Sequence, residues 1–212
     1  MFWWATLVSS LGSLIQSVGA AWLMTTIAPS ADRVALVQTA GALPFFFFSL
    51  IAGAYADTHD RRFIMLASQF VMLAAAITLA SLAWFGQVTP ELLLGLTFLI
   101  GCGTAAFAPA WQASIGEQVP RDLIPSAIMA NAVGFNMARS VGPAIGGVIV
   151  AAAGVALAFI INAVSYLGTL AALFWWRPVR AKNPLTAAQL LDHVAAGARY
   201  VRLSPHLMAI LA

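Results

Sequence analysis

The chain alternates long apolar runs with short polar breaks. About twenty apolar residues cross a bilayer as a helix, and six runs reach that length. The first helix is expected over about 2–27. Within it Ser9, Gly12, Ser13, Gln16 and Gly19 recur at steps of three or four, a small and polar stripe on one face. In lipid such a stripe faces other helices or a cavity. After a turn at Pro29–Arg33, the second helix runs from about Val34 to Ala56 with Gln38 and Pro44 inside it, and the third from about Arg62 to Phe85. Gly86–Pro90 is the next turn, where Thr89 and Pro90 can start the fourth helix. That helix covers about Glu91 to Ile115, and Gly101, Gly103 and Pro109 predict close packing and a bend. A polar loop, Gly116–Ile124, carries Glu117, Arg121 and Asp122. Pro125 and Ser126 open the fifth helix, which ends near Ala152, and Gly154 marks a very short turn. The sixth helix runs from about Val155 to Trp176 and ends on Trp175 and Trp176, an aromatic pair suited to a membrane interface.

A basic stretch, Arg177–Lys182, follows. From Thr186 to Arg202 the pattern is amphipathic. Leu190, Leu191, Val194, Ala198 and Val201 share one face, and Asp192, His193, Arg199 and Arg202 the other, as in a helix lying along a membrane surface. Ser204 and Pro205 then cap an apolar run too short to span, read as the start of a seventh helix that stops at Ala212. The expectation is an all-α polytopic membrane bundle: six transmembrane helices over 1–176, a cytoplasmic linker over 177–203, and the start of a seventh helix over 204–212.

Composition agrees. Of 212 residues, 62% are apolar and 8% charged, against about 25% charged in a soluble domain. The mean hydropathy is +0.92. A soluble chain of this makeup could not cover its own surface. The net charge of +3 does not point to nucleic acid, because the charges sit between apolar runs and no basic face is interleaved with aromatics. Arg61, Arg62, Arg121, Arg177, Arg180, Lys182, Arg199 and Arg202 fall in one set of loops and Arg33 in the other. The first set is expected to be cytoplasmic, together with the start of helix one. No basic region precedes the first apolar run, which is longer than the core of a signal peptide and reads as a span. The single cysteine, Cys102, allows neither an internal disulfide nor a metal cluster. Paired carboxylates, His–Glu metal spacing and a Ser/His/Asp set at one depth are not found, and His59, His193 and His206 lie in loops or at a helix start. No catalytic residue, metal or cofactor is assigned, and an enzyme is not expected.

Two stretches stand out. In the first, Gly53 and Ala54 allow close approach of another helix, Asp57 ends helix two as an acceptor for the amide end of a neighbouring helix, and Arg61 and Arg62 open helix three. On its residues alone it is also readable as a solvated charged turn. In the second, Gly142, Gly146 and Gly147 leave a helix face almost bare, and Pro143 removes a backbone donor. This suits a hinge, a tight seal, or ordinary glycine packing.

The first stretch resembles the loop between helices two and three of the major facilitator superfamily, Gly-x-Leu-Ala-Asp-x-x-Gly-Arg-Lys/Arg. It matches at Gly53, Ala56, Asp57, Arg61 and Arg62 and departs at Tyr55 and Asp60. Gly142-Pro143-x-x-Gly146-Gly147 looks like the helix-five motif of exporters in that superfamily. Leu11–Gly19, Pro109–Ala113, Val119–Arg121, Asn131, Asn136 and Ala138–Arg139 resemble one branch, the enterobactin exporter-like transmembrane secretion effectors. The resemblance covers the N-terminal half of a twelve-helix fold. It implies a bacterial inner-membrane location, a C-terminal six-helix half as partner, and secondary, ion-coupled export of a small molecule, with a proton as the coupling ion.

Arg139 is the residue singled out in helix five. A charge near a helix centre costs roughly 2.5–3.5 kcal/mol on insertion scales, so it faces a bundle interior or a wet cavity. It is read as an anion or substrate contact or part of a gating network, or as a structural arginine bonded to helix ends or to Asn136. Gln16, Gln38, Gln69, Asn131 and Asn162 are neutral groups suited to hydrogen bonds between helices. Ser13, Gln16, Gln38 and Asn136 are also candidates for lining a cavity. No acidic residue lies deep in the six spans, so a proton-carrying carboxylate is not identified. Export by alternating access is the leading expectation. The alternative is a truncated, non-transporting membrane fragment or scaffold, favoured by the stop at Ala212.

Overall fold

The structure is a computed structural model that describes residues 2–58 and 60–176. The linker and seventh-helix expectations lie outside the described residues. Among these, six long helices carry the fold: α1 (Phe2–Ile27), α2 (Ala31–Thr58), α3 (Arg61–Trp84), α4 (Pro90–Gln118), α5 (Ile124–Ala153) and α6 (Val155–Trp175). α1, α3, α4, α5 and α6 are each long and apolar enough to cross a membrane. α2 has 28 residues, which at 1.5 Å per residue is about 42 Å of helix. Helices are the natural outcome for such runs, because in hydrocarbon each backbone N–H and C=O must be satisfied within its own segment.

The ends follow local chemistry. Asp60, at extended φ/ψ, caps α3 by accepting from the Arg62 N–H at 2.9 Å. An aspartate where the related motif has glycine is thereby explained as a helix cap. Thr89 caps α4 through the Leu92 N–H, with Pro90 in the first turn. Gly154 joins α5 to α6 at φ +81°, a conformation that costs glycine nothing. α4 runs to Gln118, past the expected end near Ile115. The added turn is held by side chains: Gln118 Nε2 donates to Ser114 Oγ at 2.8 Å, and Glu117 meets Arg61. A single 3-10 turn, Arg121–Leu123, leads into α5.

α2 packs on α4, α4 on α3, α3 on α6, α6 on α1, and α1 on α5. Exchanging α1, α2 and α3 for α4, α5 and α6 returns the same set of pairs. α1 and α4 start at opposite faces of the bundle, so the two triplets form an inverted repeat. Small residues bring the pairs close. The stripe on α1 lies against α6, where a Cβ on Gly12 would meet Ser165 and Asn162 and one on Gly19 would meet Ala158 and Phe159. On α5, Gly134, Ala138, Gly142, Gly146 and Val150 recur every fourth residue and are buried. The apolar centre is Met72, Ala76, Ile100, Tyr166 and Leu170, from α3, α4 and α6.

Candidate functional site

At one end of the bundle two consecutive arginines reach different helices. Arg61 Nη1 pairs with Glu117 Oε1 at 2.5 Å and donates to the Ala113 carbonyl oxygen at 3.2 Å, both on α4. Arg62 Nε donates to the Leu173 carbonyl oxygen at 3.0 Å and its Nη2 to that of Phe174 at 2.8 Å, both in the last turn of α6. Carbonyls in a helix's last turn lack intrahelical partners and carry the negative end of the macrodipole, so a guanidinium fits there. The start of α3 thus clamps the ends of α4 and α6. Gly53 lies beside Pro109 of α4, where an added Cβ would stand 4.0 Å from the proline Cβ. Asp57 is in the last turn of α2 at the same end. Phe2, Trp111 and Trp176 form an aromatic cluster nearby, with ring centroids 4.8 and 5.7 Å apart.

A second polar group lies between α1 and α6. Asn162, fully buried, donates through Nδ2 to Gln16 Oε1. Its Oδ1 accepts from Ser165 Oγ at 3.3 Å and from Ser13 Oγ at 3.5 Å. Ser13 Oγ also lies 3.1 Å from the Tyr166 hydroxyl. Ser13 and Gln16 reach from this cluster to a cavity of about 120 Å³ between α1, α2 and α4, which Gln38, Ser17, Thr97 and Thr104 also line. Thr97 Oγ1 is buried there with no hydrogen-bond partner among the described residues. The lining offers neutral hydroxyls and amides and no ionised group.

α5 divides into three strips. Gly142 and Gly146 press on α1: an added Cβ would come within 2.9 Å of Leu14 Cβ and 3.1 Å of Ile15 Cα. Asn136, Arg139, Ser140, Pro143 and Gly147 are exposed and follow one another at helical steps along a second strip. Val133, Met137, Val141, Ile145 and Val148 form a third, apolar and exposed. Arg139 is therefore not buried within this bundle. Its guanidinium carbon lies 5.8 Å from the Phe135 ring centroid, and Asn136 Nδ2 donates instead to the Ala132 carbonyl at 2.9 Å.

Gly53, Asp57, Arg61 and Arg62 thus share one end of the bundle, and Ser13, Gln16 and Gln38 one cavity. Asn136 stands apart from that cavity, on the α5 strip with Arg139, Pro143 and Gly147. The helix-five glycines divide: Gly142 and Gly146 pack, while Gly147 has nothing within 4 Å of an added Cβ. Sequence reasoning missed Glu117 as the Arg61 partner because it placed that residue in a loop. It also missed Ser165 and Tyr166, although Asn162, Ser165, Tyr166 and Thr169 recur at helical steps on α6 and could have been read as a polar face.

An inverted repeat of membrane helices around a small polar cavity is the architecture of a transporter half. A family model for transmembrane secretion effectors matches residues 1–212, and the chain belongs to that family, within the major facilitator superfamily. Its relatives are bacterial. The MFS-type transporter YfiS of Bacillus subtilis is 25% identical over 95% of this chain and 48% of its own length. The multidrug efflux pump Tap of Mycobacterium tuberculosis is 28% identical over 93% of this chain and 49% of its own. The staphyloferrin A transporter of Staphylococcus aureus is 27% identical over 74% of this chain and 40% of its own. The chain spans about half the length of the first two relatives. It is a bacterial multi-pass membrane protein.

Proposed function

We propose that this bundle is the N-terminal half of a secondary exporter that moves a small molecule outward across the bacterial inner membrane by alternating access. The observation that carries the reading is that the polar strip of α5 and the neutral cavity between α1, α2 and α4 coexist in a chain spanning half of its transporter relatives. A polar strip at mid-membrane depth belongs against water or another helical half, not lipid. In this reading the Arg61 face is cytoplasmic. The arginine clamp makes the cytoplasmic ends of α3, α4 and α6 one block, and Asp57 holds the amide end of a helix in the C-terminal half. Ser13, Gln16 and Gln38 contact the substrate. Gly142 and Gly146 let α5 ride on α1 as the halves rock, with Pro143 as the flexible point. The proton is the coupling ion, and its carrier belongs to the other half, because the described spans hold no deep carboxylate.

The test uses everted vesicles containing the full-length protein. An imposed proton gradient should drive dye accumulation, and a protonophore should abolish it. Accumulation that ignores the protonophore would remove proton coupling, and none for any dye in a broad panel would remove the exporter reading. Sidedness is read separately with Cys102 replaced. Ser30→Cys should react with an impermeant maleimide on intact cells and Thr58→Cys should not. The reverse pattern would invert the bundle.

A further inference from the structure

We propose that Arg139 is the docking point for an acidic group, a carboxylate or sulfonate, on the exported molecule, so that the substrate class is anionic. The inference deepens the exporter reading, and only its transport arm rests on it.

Depth is the first support. Arg139 sits at the midpoint of α5, about 22 Å along the helix from either end. Lipid phosphates lie at the bilayer surface, so a headgroup does not reach it. The position of the charge is the second. Every other charged residue with a described side chain sits at a helix end or in a turn, and the acids among them are mostly engaged there. Glu91 faces Arg33 at 3.5 Å, Glu117 is held by Arg61, and Asp60 caps α3. Only Arg139 places a full charge at mid-depth, and among the described residues it meets no carboxylate. Its one contact of note is the Phe135 ring.

Registry is the third support. Gly142, one turn on from Arg139, rests on Leu14 of α1. Leu14 is the sequence neighbour of Ser13, which lines the cavity. Arg139 therefore lies at nearly the depth of the neutral cavity, offset by about one turn. A molecule long enough to reach both the strip and the cavity would meet one fixed positive charge and otherwise hydroxyls and amides. A guanidinium in a partly dry site binds an acid through paired charge-assisted hydrogen bonds and repels a cation. Phe135 adds a flat apolar face that suits an aromatic acid.

The experiment compares two dyes of similar shape, fluorescein with a free carboxylate and rhodamine 6G with an ester and a cationic ring system. Both are titrated by fluorescence anisotropy against the purified full-length protein in detergent. Wild type should bind fluorescein at least about tenfold more tightly than rhodamine 6G, the worth of one hydrogen-bonded ion contact. Arg139→Gln should remove that preference by weakening fluorescein binding alone. Arg139→Lys should keep the preference at reduced strength, because the charge stays while the fork is lost. The proposal is overturned by a wild type that lacks the preference or does not bind fluorescein. It is equally overturned by Arg139→Gln at full fluorescein affinity, or by equal loss of both dyes in a variant that still elutes as one species. Where Arg139→Gln does not elute as one species, Arg139→Lys decides: preference kept supports the site, preference lost overturns it. Binding that depends on Arg139, with no accumulation of fluorescein or any other dye of the panel in everted vesicles, would end the exporter reading and leave the anion site standing.

Discussion

The seam between α2 and α4 and the seam between α5 and α1 occupy matching places in the inverted repeat, yet they close on different atoms. On α4, a Cβ added to Gly101 would stand 2.6 Å from the Gly41 carbonyl oxygen and 3.0 Å from Pro44 Cγ of α2. On α5, one added to Gly142 would stand 2.9 Å from Leu14 Cβ, and one added to Gly146 would stand 3.1 Å from Ile15 Cα. The first seam is backbone on backbone, with no side chain free to yield. The second closes on Leu14 Cβ, the side-chain atom next to the backbone, and on Ile15 Cα, at distances a few tenths of an ångström longer. Related positions thus give one tighter seam and one slightly looser, and the looser one carries the helix with the uncovered polar strip.

The largest expected effect is Gly101→Ala. It forces α2 and α4 apart and should cost about 2–3 kcal/mol, at the upper end of overpacking penalties, read as a lower melting temperature in detergent. An unchanged melting curve would break the comparison at its tighter side. Gly142→Ala should cost less, about 1–2 kcal/mol, and should keep more folded protein than Gly101→Ala. The reverse ranking would show α1–α5 to be the tighter seam. Asn162→Ala removes the partner of Gln16, Ser13 and Ser165 between α1 and α6. Hydrogen bonds between membrane helices average about 0.6 kcal/mol each, so a loss of about 1 kcal/mol is expected from this multiply bonded residue. A full Gly101-sized loss there would make the polar cluster, not the glycine seams, the main tie. The smallest effect is Gly147→Ala. With no neighbour within reach it should fall within about 0.5 kcal/mol of wild type, and a loss as large as that of Gly142→Ala would mean that Gly147 has a contact outside the described residues.

The helices were legible because each signal is local. An apolar run sets a span, and Thr89-Pro90 and Gly154 mark ends within a few residues of the observed ones. The stripe of Ser9, Gly12, Gln16 and Gly19 announced a packed face for the same reason, since helical steps alone place these residues together. The candidate site was legible only in part. In sequence Arg61 and Arg62 form one basic pair that sets orientation, whereas in the fold they grip separate helices. In sequence Gly142, Gly146 and Gly147 suggest one bare face, but adjacent residues on a helix point about 100° apart, so only Gly142 and Gly146 meet α1. The extra turn of α4 escaped because Glu117 and Gln118 look like loop residues until Arg61 and Ser114 hold them.

The sequence by itself determined the class of molecule. Its long apolar runs require a membrane, and a membrane requires helices whose backbone bonds close within each run. It also determined where most helices start and stop, since caps and breakers act over three or four residues, the end of α4 being the exception. The tertiary structure alone decided which helix meets which, and so which glycines are filled by a neighbour and which lie bare. It alone decided that Arg139 stays on an uncovered strip while Asn162, a neutral polar residue also within a span, is buried and bonded. Helix faces are fixed by short-range periodicity, whereas partners are chosen by shape and hydrogen-bond complementarity between segments far apart in the chain, as Gln16 and Asn162 are.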